Sequence, residues 1–253
     1  MKKNTSFLSD QCKKIVLGSI LGDGSLKIQK PYKNARFSFR HSVQQQEYFF
    51  WKVNQLKEIS GEKCWWKQAP NGLGGEMLRY QSLALEDLTE LYRLTHEHNE
   101  LVIRRRWLNQ MSPASLAIWW LDDGSLIGNG KRGVICTDPF PLKMQQILAQ
   151  YLLKVWGVKT AIAKITRERD GIKREYYRLW IRSSEELKKF LRIILPEVPV
   201  AEMLPKVLIL YKDSQLQQRW ISEIAEKTTF SREVIESYLL AKQTRYKRFQ
   251  KMI

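Results

Sequence analysis

The sequence predicts an α+β fold made from two copies of one unit, and three observations predict it. A short motif recurs: Asp23, Gly24, Ser25 and Leu26 reappear as Asp123, Gly124, Ser125 and Leu126, 100 residues apart. Each copy follows a dense apolar run, at residues 16–22 and 114–121, of the kind that forms a helix buried on nearly all sides. Behind each motif come short segments of alternating apolar and polar residues, which read as antiparallel strands, and longer segments at helical spacing. Both copies run in the order αββαββα with the motif helix leading. Residues 1–110 hold the first repeat, 111–210 the second, and 211–253 a basic helical extension.

In the first repeat, Ser9 or Asp10 caps a helix over residues 10–20. Gly24, like Gly124 in the second copy, suits a left-handed helix stop. Residues 26–28 form a short strand, 31–34 a turn and 36–40 a second strand, with Phe37 and Phe39 on one face and Arg36, Ser38 and Arg40 on the other. Residues 45–60 follow helical spacing, with Phe49, Val53 and Leu56 inward and Gly61 at the end. A hairpin over 63–68 and 76–82 turns through the glycine-rich 70–75, which lacks the Gly-Lys-Ser/Thr ending of a phosphate-binding loop. A helix over 85–94 leads into a polar loop containing His96 and His98, which have no further histidine or cysteine nearby and therefore no metal-site pattern.

The second repeat follows the same course. Strands over 125–127 and 133–137 precede a helix over 142–156 closed by Gly157. A hairpin over 160–167 and 174–182 turns at Asp170 and Gly171 and carries Lys164, Arg167, Arg169, Arg174, Arg178 and Arg182 among apolar residues. A helix over 184–194 stops before Pro196. In the extension, residues 221–238 have the spacing of a helix-turn-helix, although a plain helical hairpin packed on the core fits as well. The basic tail from Ala241 on, including Lys242, Arg245, Lys247, Arg248 and Lys251, suits phosphate contacts.

The charge narrows the function. With 43 Lys and Arg against 26 Asp and Glu, the net charge of +17 calls for a polyanionic partner, either nucleic acid or an anionic membrane surface. The longest apolar run is too short to cross a bilayer and the start has no signal-peptide core, so nucleic acid is the better partner and no membrane role is expected. The three cysteines, Cys12, Cys64 and Cys136, are scattered, which suits a reducing compartment and offers no zinc site.

Against this positive background the acids stand out. A carboxylate at a helix C-terminus faces the negative end of the dipole, unfavourable by about 0.3–1 kcal/mol. Here it happens at Asp23 and again at Asp123, with Asp122 adding a third charge. Paired helices would bring these charges together, and a hard divalent cation such as Mg²⁺ or Ca²⁺ would offset them.

These stretches resemble the paired motifs of the LAGLIDADG homing endonucleases in their two-motif, single-chain form. Gly18, Gly22, Asp23 and Gly24 match the motif's third, seventh, eighth and ninth positions, and Leu116, Ala117, Asp123 and Gly124 match in the second copy. Residues 111–116 form a typical lead-in. Ile118 departs from the usual small residue but, facing Gly18, still permits close helix packing; Asp122 stands where the family has a small or acidic residue. The resemblance covers roughly residues 10–210. It implies two antiparallel sheets forming a saddle over DNA around the paired motif helices, with Asp23 and Asp123 as catalytic metal ligands and the carbonyls of Gly22 and Asp122 assisting. It further implies Mg²⁺ as cofactor, Mn²⁺ as a substitute and Ca²⁺ as an ion that binds without supporting cleavage.

The family also keeps a basic residue by each centre. Lys206 stands where the second copy has its lysine; in the first copy Glu100 and Leu101 stand roughly there, and Arg104, Arg105 and Arg106 are the nearest cations. DNA contacts are expected from Arg36, Ser38, Arg40, Lys164, Arg167, Arg174, Arg178 and Arg182. The resemblance implies a monomeric, intron-borne endonuclease that hydrolyses both DNA strands with short 3′ overhangs, with no obligate protein partner. No protein-splicing blocks are evident, and the setting is intracellular, in an organelle or a prokaryotic cytoplasm. Two alternatives use the same fold: an RNA maturase that binds intron RNA, and a non-catalytic DNA-binding regulator.

Overall fold

The computed structural model describes residues 8–70, 75–128, 130–169 and 171–250. The expected turn centres at 71–74 and Asp170, and Lys251, lie outside the described residues, as do the side chains of Arg169, Lys247 and Arg248. The chain separates into two units, residues 1–122 and 123–253.

The first unit opens with α1 (Asp10–Leu21), capped by the Ser9 hydroxyl, which accepts from the Cys12 N–H. It continues through β1 (Gly24–Lys27), β2 (Arg36–Ser42), α2 (Gln46–Gln55), β3 (Trp65–Gln68), β4 (Met77–Gln81) and α3 (Glu86–Thr95). The strands form an antiparallel sheet in the order β1-β2-β4-β3. Its register sets Leu26 beside Phe37 and Phe39 beside Tyr80, all buried. The alternation of β2 holds, with Arg36, Ser38 and Arg40 on the opposite face. The motif helix of the second repeat, α5 (Pro113–Asp123), packs in this unit as far as Asp122.

Three expectations are corrected here. Gly24 and Gly124 do not stop the motif helices in a left-handed conformation, since neither has a positive φ. The first motif's glycines provide room instead: a Cβ on Gly22 would come within 2.5 Å of the Asp122 Cβ, and one on Gly24 within 2.7 Å of Ser19. The inward stripe of α2 is Tyr48, Lys52 and Leu56 together with Phe49, while Val53 is only half-buried. The loop after α3 is a small hairpin of β5 (His96–Glu97) and β6 (Glu100–Leu101), because His98 and Asn99 both take positive φ and make a tight turn. A short helix, α4 (Arg105–Leu108), follows and buries Trp107.

The second unit contains β7 (Gly124–Ile127), β8 (Arg132–Ile135), α6 (Leu142–Trp156), β9 (Ala161–Arg169), β10 (Ile172–Ile181) and α7 (Ser184–Ile194). Its sheet runs β7-β8-β10-β9, again antiparallel. Gly157 closes α6 at φ 67°, as its place after an amphipathic run demands. A 3-10 turn at Ala201–Lys206 leads to two further helices, α8 (Ser214–Lys227) and α9 (Arg232–Gln250). Trp220, Ile224 and Ile235 of that pair are fully or nearly buried. The whole is therefore α+β, with two αββαββα repeats and a helical extension.

Candidate active site

The motif helices meet at Gly18. A Cβ there would lie 2.5 Å from the Ser115 carbonyl oxygen and 2.9 Å from the Ile118 Cβ, so only glycine permits this approach against the bulky Ile118. That closeness brings the end of α1 to the last turn of α5, and the acids with it. The Asp23 N–H points to Asp122 Oδ2 at 3.4 Å.

The Asp122 side chain is completely buried, and its charge is met from within the protein. Lys52 Nζ donates to both its oxygens, at 3.2 and 3.1 Å, and the Tyr48 hydroxyl donates to Oδ1 at 2.9 Å. Burial, and then the Asp122 charge, push the Tyr48 phenol well above its ordinary value, so it stays protonated as a donor. Lys52 itself is fully buried and lies 4.5 Å from the Phe39 ring centroid.

His41 completes the cluster. It occupies the next inward position of β2 after Phe37 and Phe39, with Nδ1 3.4 Å from Asp23 Oδ2 and Nε2 3.8 Å from Asp122 Oδ1. One ligand atom from each of Asp23, His41 and Asp122 falls within 4.8 Å of the others. The Asp23 side chain is 39% exposed, whereas those of His41 and Asp122 are closed off. The exposed carboxylate lines a groove of about 560 Å³ over the polar sheet face, together with Ser25, Lys27, Ser38, Arg40, Trp66, Arg79 and Gln81. With Asp122 already neutralised by Lys52, the exposed Asp23 carboxylate remains to offer hard oxygen ligands, which suit a divalent ion of the Mg²⁺ or Mn²⁺ kind, so this residue fits the implied metal.

The sequence reading missed His41, Tyr48 and Lys52. It ended β2 at Arg40, two residues short of Ser42, although the alternation of Phe37 and Phe39 continues to His41. It also sought the first centre's cation near Glu100 and Arg104–Arg106. In the structure Glu100 lies in the β5–β6 hairpin and Arg104 pairs with Glu97, while Lys52 is the cation on Asp122. The four-residue spacing of Tyr48, Lys52 and Leu56 was the available signal.

In the second unit, the Asp123 carbonyl accepts from the Cys136 N–H at 3.0 Å. Arg178 forks onto Asp138 at 2.6 and 2.8 Å, and that contact holds the Asp138 carboxyl below its ordinary value. Arg167 reaches the same carboxylate at 3.3 Å. Arg167, Arg174 and Arg178 share one face of β9–β10, as their register requires, and Arg182 follows the strand, exposed. Lys164 does not join them: it lies an odd number of residues from Arg167, falls on the other face and pairs with Glu175. In the first unit Arg36 stacks on Tyr32 at 3.7 Å and reaches Gln81, while Arg40 is exposed. Lys206 ends the 3-10 turn, half-buried, and this turn packs on β7 directly after Asp123. Lys242, expected at phosphate, instead donates into the protein, to the carbonyls of Pro205 and Leu208.

Two motif helices joined through a glycine contact, each leading into a four-stranded antiparallel sheet with an acid at the junction, define a LAGLIDADG-type fold. The sequence pattern of the LAGLIDADG DNA endonuclease family matches residues 13–190, and the chain belongs to that family. Protein RecA of Mycobacterium gastri is 32% identical over 171 residues, covering 62% of this chain and 39% of that protein. The cytochrome b mRNA maturase bI2 of Saccharomyces cerevisiae is 25% identical over 179 residues, covering 66% and 42%. The chain thus spans less than half the length of these curated relatives. The solved structure of the homing endonuclease I-WcaI bound to its DNA recognition sequence has the same fold, with a TM-score of 0.68 at 21% identity over 83% of this chain and 91% of that one.

Proposed function

We propose that the chain is a site-specific homing endonuclease that hydrolyses both strands of a long double-stranded DNA target in a divalent-metal-dependent reaction, acting as a monomer and leaving short 3′ overhangs. The observation that carries this reading is the division of labour among the acids: Lys52 neutralises Asp122, while Asp23 stays exposed and lines the polar groove. Mg²⁺, or Mn²⁺ in its place, would be held by the Asp23 and Asp123 carboxylates with the carbonyls of Gly22 and Asp122; Ca²⁺ would bind without supporting cleavage. A bound ion of this kind supplies Lewis-acid stabilisation of the phosphoryl group and a more acidic water.

The protein's own residues do the rest. Arg36, Ser38, Arg40, Arg79 and Gln81 on one sheet, and Arg167, Arg174, Arg178 and Arg182 on the other, bind phosphates and base edges. His41, locked by burial, restrains the Asp23 carboxylate. Lys206 holds a positive charge at the second centre, where negative charge builds on the phosphate.

The test is a cleavage selection on a randomised DNA library in Mg²⁺. Asp23→Asn and Asp123→Asn should each abolish double-strand cutting while the DNA Kd changes by no more than about threefold, since neither change removes a phosphate-binding cation. A variant that cuts both strands at the wild-type rate would rule out the assignment. The similarity to a cytochrome b mRNA maturase favours one second reading, an RNA maturase that binds intron RNA. Tighter binding to structured intron RNA than to any selected duplex, with no cleavage, would establish that reading instead.

A further inference from the structure

We propose that the C-terminal helical pair α8–α9 is a positioning element for the second centre, clamping the segment that carries Lys206 against the strand that follows Asp123. The inference rests on the reading of Lys206 as a residue of that centre.

The chain from Val207 to Tyr211, directly after Lys206, has left the 3-10 turn and joins no sheet, yet residues 207–210 are buried. Buried carbonyls of such a segment need donors. The extension supplies them from three side chains. Lys242 Nζ donates to the Pro205 and Leu208 carbonyls at 2.6 and 2.7 Å, on either side of Lys206. Trp220 Nε1 donates to the Val207 carbonyl at 3.1 Å. Gln217 donates to the Ile209 carbonyl at 3.2 Å and accepts the Tyr211 N–H at 2.9 Å.

On its other side the same stretch meets the sheet. The 3-10 turn packs on β7, and a Cβ on Gly130 would lie 2.9 Å from the Ile209 Cα. Lys206 therefore sits on a segment gripped from both sides. Burial lowers the Lys242 ammonium to about 8, consistent with a cation turned inward. A module that only docked on DNA would have no use for these bonds.

Hydrogen exchange on the full chain without DNA tests the clamp directly. Lys242→Met should speed exchange across residues 201–211 and leave β8 and β10 unchanged, and Lys242→Arg should restore protection; wild-type protection in Lys242→Met overturns the proposal. Gln217→Leu, which removes one anchor only, gives the same test if Lys242→Met fails to fold. On a supercoiled plasmid carrying a selected target, Lys242→Met should slow one strand by about tenfold or more relative to the other, so that nicked circles accumulate, with Kd within about twofold. Equal slowing of both strands overturns the proposal, as does a shortened footprint with unchanged strand rates, the mark of a DNA-docking module. Lys206→Met separates the two readings: if it cuts both strands normally, the role of Lys206 fails, whereas the exchange result still decides the clamp.

Discussion

Lys52 stands where the spacing of α2 asks for an apolar residue, and its burial makes sense only beside Asp122. Removing one member of a buried pair leaves an uncompensated charge, which costs about 3–5 kcal/mol. Lys52→Met should therefore lower stability by about that amount in urea denaturation, and adding Asp122→Asn should recover most of it. If the double variant is no better than the single, the charge pair is not what Lys52 provides. His96 offers a pH test. Burial first, and then Lys27, lower it to about 4 from an ordinary 6.5, so the fold favours the neutral ring. As pH falls from 6.5 toward 4 the unfolded chain takes up this proton before the folded one does, and stability drops; above 6.5 His96 contributes no slope. Partial exposure limits the loss to about 1–2 kcal/mol. Denaturation at pH 7 and pH 4.5 should show that difference between wild type and His96→Asn, and parallel behaviour of the two would exclude it.

At the scale of elements, the contact between α1 and α5 decides where the acids lie. Gly18 is the contact point, with a backbone carbonyl and a β-branched side chain inside the reach of any Cβ. Gly18→Ala must push the helices apart, and overpacking of this kind costs about 1–3 kcal/mol. A thermal melt should show it, and cutting should fall further than stability explains because Asp23 moves with α1. An unchanged Tm would mean that the helices tolerate a wider spacing. The β strands behave more simply. Their alternation puts Phe37, Phe39 and His41 inward, and the turn before α6 is tied to β10 by the buried Gln145, which donates to the Thr137 and Tyr177 carbonyls and sets Asp138 under Arg178.

At the scale of the molecule, a net charge of +17 on 253 residues dominates. Each phosphate neutralised on B-DNA contributes about −0.9 to the slope of log K against log[salt]. Duplex binding should therefore show a steep slope, on the order of −5 or steeper, when titrated from low to moderate salt. A nearly flat response would contradict recognition through the two polar sheet faces. The part of the charge held in ion pairs, as at Arg178 and Lys164, will not count fully toward that slope.

The sequence alone determined the fold class, the two repeats and the two acid-ending motif helices, because these follow from local rules. Helical spacing, strand alternation and a repeated Asp-Gly are visible within a dozen residues. The repeated Asp-Gly at 23 and 123, the basic face of β2 and the span of α6 were legible for that reason. The tertiary structure decided what depends on residues far apart in the chain. Lys52, 70 positions from Asp122, neutralises that carboxylate, and no local pattern announces the pair. His41 reaches the site only because β2 runs on past Arg40, and Lys242 turns inward to donate to the backbone carbonyls at 205 and 208, which the fold brings beside it. Gly18 and Gly22 are required by the helix packed against them, since a clash at 2.5 Å is a property of two segments together. Local rules specify elements; charges and buried polar groups are satisfied by whatever the fold brings near, so only the folded chain could say which residues complete the site.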